Sequence, residues 1–193
     1  MTQNRKVKLA DLSIQYADYA AWQRQWLQGD VLNKQLDYWK KQLQNSPAII
    51  SIPTDKPRPS VSTNQGATLT FKIPSVLGKA LINLSRESGS TLFMTLLTSW
   101  NILVSRYTGQ QDICIGTPVA GRHHQSVENL IGCFVNTLVI RSHLQDNPTF
   151  SSLLEQTKTT ALMAYQYQDV PFEKLVEVLQ PTRDMSHSPL FQI

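Results

Sequence analysis

Only two cysteines, eight glycines and four histidines occur among the 193 residues, and lysine, arginine, aspartate and glutamate together make up 17%. Each scarcity excludes something. Cys114 and Cys133 form no closely spaced pair and both lie in apolar surroundings, so the chain reads as holding two buried thiols in a reducing cytosol and is assigned to the cytoplasm. No metal-ligand spacing of histidine and cysteine occurs, so no metal is expected. The net charge of +4 is mild, with Arg5, Lys6 and Lys8 supplying much of it. No stripe of lysine and arginine with interleaved aromatics is visible, which argues against nucleic acid as partner. The most apolar run, TLFMTLLTSWNILV, is broken by Thr95, Thr98, Ser99 and Asn101. It is shorter than the roughly 18 residues that span a bilayer, and no membrane is expected as partner. The opening residues lack the apolar segment of a signal peptide.

What is present is an ordinary globular composition, 41% hydrophobic, with patterns that alternate between helix and strand. Residues 13 to 28 carry Ile14, Ala17, Ala21, Tyr19, Trp22 and Trp26 at helical spacing, which predicts an amphipathic helix closed by Gly29. Asp30 is placed to cap a second helix through Leu43. Pro47, Pro53, Pro57 and Pro59 then exclude helix and predict an extended connector. ATLTFKIP alternates as a strand would, with Leu69, Phe71 and Ile73 on one face. A helix over 75–88 follows, and then a second, capped at Ser90 and stopped by Gly109. DICIGTPVAG and FVNTLVIRSHL read as strands. Pro148 and Pro171 open two more helices, and the closing PLFQI looks strand-like. The order predicts an α/β (α+β) layer fold with a mixed sheet flanked by helices. The composition change after Gly66 divides the chain into 1–65 and 66–193.

HHQSVEN, His123 to Asn129, invites a catalytic reading. Adjacent side chains diverge on a helix and take opposite faces on a strand, so His123 and His124 cannot both serve one substrate without an unusual turn. From pattern alone this is a solvated loop pair. Asn136 and Thr137 interrupt an apolar strand, and a buried Asn with four hydrogen-bonding positions is either tied into a network or faces a channel. Tyr16, Tyr19 and Trp22 read as aromatic packing. Arg183, Asp184 and Ser186 can form a local turn network.

Five stretches arrive in a fixed order: YADYAAWQ (Tyr16 to Gln23), IGTPVAGR (Ile115 to Arg122), IGCFVNTLVIR (Ile131 to Arg141), QDVPFEKLVE (Gln168 to Glu177) and RDMSHSPLFQ (Arg183 to Gln192). From about Leu12 onward the chain resembles the condensation domain of nonribosomal peptide synthetases. The resemblance implies a fold like chloramphenicol acetyltransferase, two such subdomains flanking a channel. It also implies amide bond formation between a carrier-bound acyl or peptidyl thioester and a carrier-bound amino acid. The partners so implied are peptidyl carrier proteins, whose phosphopantetheine arms enter the channel, and an N-terminal subdomain. No cofactor is expected to bind the chain directly.

The family's signature, HHxxxDG, precedes the YADYAAWQ-like helix. Here the histidine pair follows that helix by about a hundred residues, and Glu128 and Asn129 stand where aspartate and glycine belong. His123 and His124 are therefore rejected as catalytic, and no catalytic residue is assigned. The chain reads as bridge helices plus most of the C-terminal subdomain, and these 193 residues alone are expected to be inactive. The resemblance places Asp18 near the entrance of the acceptor arm and offers Arg122 as partner of the absent aspartate, with Asn136 and Thr137 on the channel floor. Asp169 belongs to the same motif series. Tyr167 stands where the family often has histidine, and it cannot carry a proton at neutral pH as histidine does. Alternatives are a noncatalytic carrier-binding relative, a fragment of an epimerisation or coenzyme A-dependent acyltransferase domain of this fold, and, last, a plain structural protein.

Overall fold

The computed structural model describes residues 11–63, 65–122, 124–182 and 184–193. Seven helices and two strands are present among them. They are α1 (Tyr16–Trp26), α2 (Gly29–Leu43), α3 (Ser75–Glu87), α4 (Leu92–Thr108), β1 (Asp112–Val119), α5 (Gln125–Glu128), β2 (Asn136–His143), α6 (Phe150–Gln166) and α7 (Phe172–Leu179). The strands pair antiparallel, with Ile113 opposite Ser142 and Ile115 opposite Ile140. The layer class expected from the pattern holds, and the sheet of the described residues is this one antiparallel pair.

The core forms where the two strands meet α2, α4, α6 and α7. Ile113, Val139 and Ile140 are fully buried, and Trp39 and Leu153 nearly so. Leu36, Trp39 and Leu43 of α2 and Ile50 of the connector belong to the same cluster. Gln192 ties that connector down: its Oε1 accepts the Ile50 N–H at 2.7 Å and its Nε2 donates to Ala48 O at 3.1 Å.

Local chemistry sets the ends. Thr91, one residue past the expected Ser90, caps α4 by accepting the Met94 N–H, and Gly109 ends the helix in a left-handed turn. Ser90 instead donates to Ser85 O. Gln28 precedes α2, and Asp30 lies in its first turn, where a carboxylate faces the positive end of the helix dipole. Thr149, not Pro148, is the cap residue of α6.

Three expectations fail. Residues 67–74 form no strand, and Leu69, Phe71 and Ile73 are 88%, 77% and 45% exposed. Alternation makes a strand only where a neighbour completes the ladder, and none of the described residues does so. The terminal PLFQI is likewise no strand, although the Gly116 N–H donates to Ile193 O at 2.7 Å. Cys133 is exposed while Cys114 is buried, because Cys133 lies in the loop before β2 and contributes its carbonyl rather than its thiol.

Candidate functional site

The motifs converge largely on one side of the molecule, around α1. That helix buries no residue of its own; it is held by two tyrosines on the loop before β2. The Tyr16 hydroxyl donates to Cys133 O at 2.7 Å. The Tyr16 and Tyr19 rings meet Phe134 with centroids 5.1 and 4.8 Å apart, distances typical of favourable aromatic pairs. Trp22 and Trp26 stack on each other outside this seat, and Trp22 meets His124 edge to face at 5.9 Å. Asp18 accepts the Gln15 N–H, closing a capping box.

Arg122 lies under the same loop. Its guanidinium sits 4.1 Å from the Phe134 ring centroid, a cation–π arrangement. Its N–H groups donate to Val127 O, to Glu128 O at 3.3 Å and to Gly132 O at 3.4 Å. The arginine expected to lack its aspartate is thus provided with backbone acceptors, and it binds the loop that carries HHQSVEN. His124 precedes the short α5 and His123 lies outside the described residues.

Asn136, at the start of β2, is tied into a hydrogen-bond network. Its Nδ2 donates to Gln168 O and Val170 O, each at 2.8 Å. Its Oδ1 accepts the N–H groups of Thr137 at 2.9 Å and Phe172 at 3.0 Å. All four positions are occupied, and the residue also lines a cavity of about 260 Å³ with Tyr16, Tyr19, Gln23, Asp169 and Glu173. Thr137 is opposite Pro118 in the ladder. A second cavity, about 380 Å³, lies against Ile14, Asp18, Tyr19, Trp22, His124 and Val127. Burial raises the Tyr19 hydroxyl above its ordinary pKa, with the Asp169 charge adding to the effect.

One residue of this site escaped sequence reasoning. Gln35 of α2 is 6% exposed and grips the other side of the QDVP segment. Its Nε2 donates to Asp169 Oδ2 at 2.8 Å, and its Oε1 accepts the N–H groups of Asp169 at 3.1 Å and Val170 at 3.2 Å. The signal was legible in principle, since position 35 falls on the helix stripe of Leu36, Trp39 and Leu43 that faces the core. Tyr167, in the place of the family's histidine, stacks on Tyr38 at 4.4 Å and accepts the Trp39 Nε1–H through its carbonyl. Asp184 and Ser186 make the expected turn, with the Ser186 N–H donating to Asp184 Oδ1 at 2.7 Å. That bond holds the Asp184 carboxyl below its usual range. The turn stands apart from the cavity, and Arg183 lies outside the described residues. No group of three or more His, Cys, Asp and Glu residues at metal-binding distances occurs among the described residues.

The sequence profile of the family described as Condensation domain matches residues 1–193. The chain belongs to the condensation domain family. Linear gramicidin synthase of Brevibacillus parabrevis has a polypeptide that is 54% identical over 186 residues, which cover 96% of this chain and 2% of that protein. Malpinin synthetase of Mortierella alpina is 46% identical over 185 residues, again 96% of this chain and 2% of the relative. The fold matches the X-domain from teicoplanin biosynthesis with a TM-score of 0.89 and 26% identity, over 96% of this chain and 42% of that one. It also matches a four-domain nonribosomal peptide synthetase bound to AMP and glycine, with a TM-score of 0.89, 31% identity, and coverage of 96% and 14%. The chain therefore spans a small part of each curated relative, and in this condensation domain the YADYAAWQ, IGCFVNT and QDVPFE motifs line one cavity.

Proposed function

We propose that this chain forms one wall of a channel in which an amide bond is made between two carrier-bound substrates. The observation that carries the reading is the convergence of α1, the loop before β2 and residues 168–172 on a single cavity. In this reading residues 66–193 form the acetyltransferase-like subdomain and residues 1–65 bridge to the other. Partner carrier proteins deliver their phosphopantetheine arms to it in the cytoplasm. The acceptor amine attacks the donor thioester carbonyl, the C–N bond forms, the C–S bond breaks, and the freed thiol takes up a proton. The thioester already stores the activation, so holding the reactants together is the chief task, and that effect can supply about 7–11 kcal/mol.

The 193 residues contain no HHxxxDG, and alone they are expected to form no dipeptide. The test replaces the corresponding stretch of the 54%-identical gramicidin synthase domain with this chain and supplies loaded carrier proteins. Dipeptide formation by the chimera, and none by the isolated chain, supports the reading. Product from the isolated chain overturns its predicted inactivity, and a folded, carrier-binding chimera without product overturns the wall assignment. One observation favours a binding-only reading: the X-domain, which this fold matches, is also solved as a complex with OxyB. Carrier binding by a folded but inactive chimera is the result that reading expects.

A further inference from the structure

Two primary amides hold the segment from Gln168 to Phe172, the first residue of α7. Asn136 takes Gln168 O, Val170 O and the Phe172 N–H. Gln35 takes the N–H groups of Asp169 and Val170 and one carboxylate oxygen of Asp169. The grip comes from β2 on one side and α2 on the other, so the backbone of the segment is held from both sides. A carboxylate on such a segment would ordinarily swing about its own bonds. Here the Gln35 donor pins Oδ2, and Oδ1 accepts no hydrogen bond from the described residues. Asp169 forms no ion pair with them either.

The cavity beside it has walls suited to an organic cation. Tyr16 and Tyr19 supply aromatic lining, and Glu173 adds a second carboxylate. The lining contains no lysine, arginine or histidine, and His124 lines the adjoining cavity, which Asp169 also lines. A volume of about 260 Å³ suits an amino-acid-sized group and is small for a bulky ligand.

The geometry points to Asp169 as an amine-binding residue of this cavity and to Gln35 as the positioning residue that aims its carboxylate at the ammonium of an aminoacyl group. The inference rests on the proposed reading, in which one substrate carries such an amine. It adds the subsite that holds that amine, formed by residues whose roles composition and motif order leave unassigned.

The test measures binding of two isosteric probes to the 193-residue chain by titration calorimetry, with circular dichroism confirming the fold of each variant. One is an alanyl amide of pantetheine; in the other, isobutyryl, a methyl replaces the ammonium. The alanyl probe is expected to bind at least about tenfold tighter, the scale of a charge-assisted hydrogen bond. Asp169→Asn, nearly identical in shape, should abolish that preference and leave the isobutyryl affinity unchanged. Gln35→Met, which removes the donor to Oδ2, should lower that preference and leave the isobutyryl affinity unchanged. A merely structural Gln35 would weaken both probes alike, which overturns its positioning role. Equal binding of both probes overturns the amine site while leaving the arm-binding reading intact, and binding of neither overturns both.

Discussion

Gly132 shows how much a single missing side chain can decide. A Cβ there would meet the Tyr16 ring at 2.3 Å, and one on Gly121, which has φ +64°, would meet Phe134 O at 2.0 Å. Both positions demand glycine, the first for close approach and the second also for its left-handed backbone. Since α1 buries no residue of its own, displacing Tyr16 should release the helix without opening the core. Gly132→Ala is therefore expected to speed amide exchange over residues 16–26 and alter Trp22 and Trp26 fluorescence. The urea midpoint of the whole chain should move by less than about 1 kcal/mol equivalent. A large global loss with unchanged exchange in α1 would contradict this. The motif letters named Tyr16 and Arg122 as candidates. They did not show that both residues serve the same loop, because a hydrogen bond to a carbonyl such as Cys133 O leaves no mark on residue type.

At the scale of elements, the helices were the most legible, because the longer ones carry their own period, and α4 and α6 each have a capping threonine. The Gly109 stop of α4 is where the sequence puts it. Strands are less local, and the alternation in 67–74 could not reveal whether a partner lay alongside. The end of α2 depends on a residue nearly a hundred positions away. Arg141, 8% exposed, uses all its donor nitrogens: Nε and Nη2 on Asp112 at 2.8 and 2.6 Å, and Nη1 and Nη2 on the carbonyls of Gln42, Gln44 and Asn45. It satisfies the terminal acceptors of the helix while pairing across the sheet. Arg141→Met should cost about 3–4 kcal/mol in a urea unfolding experiment, since Asp112 and three carbonyls lose their donors together. A loss within about 0.5 kcal/mol would show that the cap contributes little.

For the whole molecule, the main core around the two strands sets the response to alkali. Burial pushes the Cys114 thiol from its ordinary 9.0 up to about 11, and the Tyr38 hydroxyl from 10.0 up to about 12. Both raised values mean that folding favours the neutral form, so their contribution is complete below about pH 9 and is lost as pH rises toward 11 and 12. Stability by urea midpoint should fall between about pH 9 and pH 12, and Cys114→Ala and Tyr38→Phe should each flatten part of that fall. A flat profile in the parent chain would mean that folding does not raise these two pKa values.

Period, caps and the motif series were determined by the sequence alone, because each resides in a few neighbouring residues. They were sufficient to place six of the seven described helices and both paired strands, and to recognise the condensation family. The double amide grip on residues 168–172, the seat of α1 on Phe134 and the cap of α2 by Arg141 were decided by the tertiary structure. Each joins groups separated by roughly 30 to 135 positions. Residue type states what such groups can donate or accept, and only the packed core determines which partner is within reach.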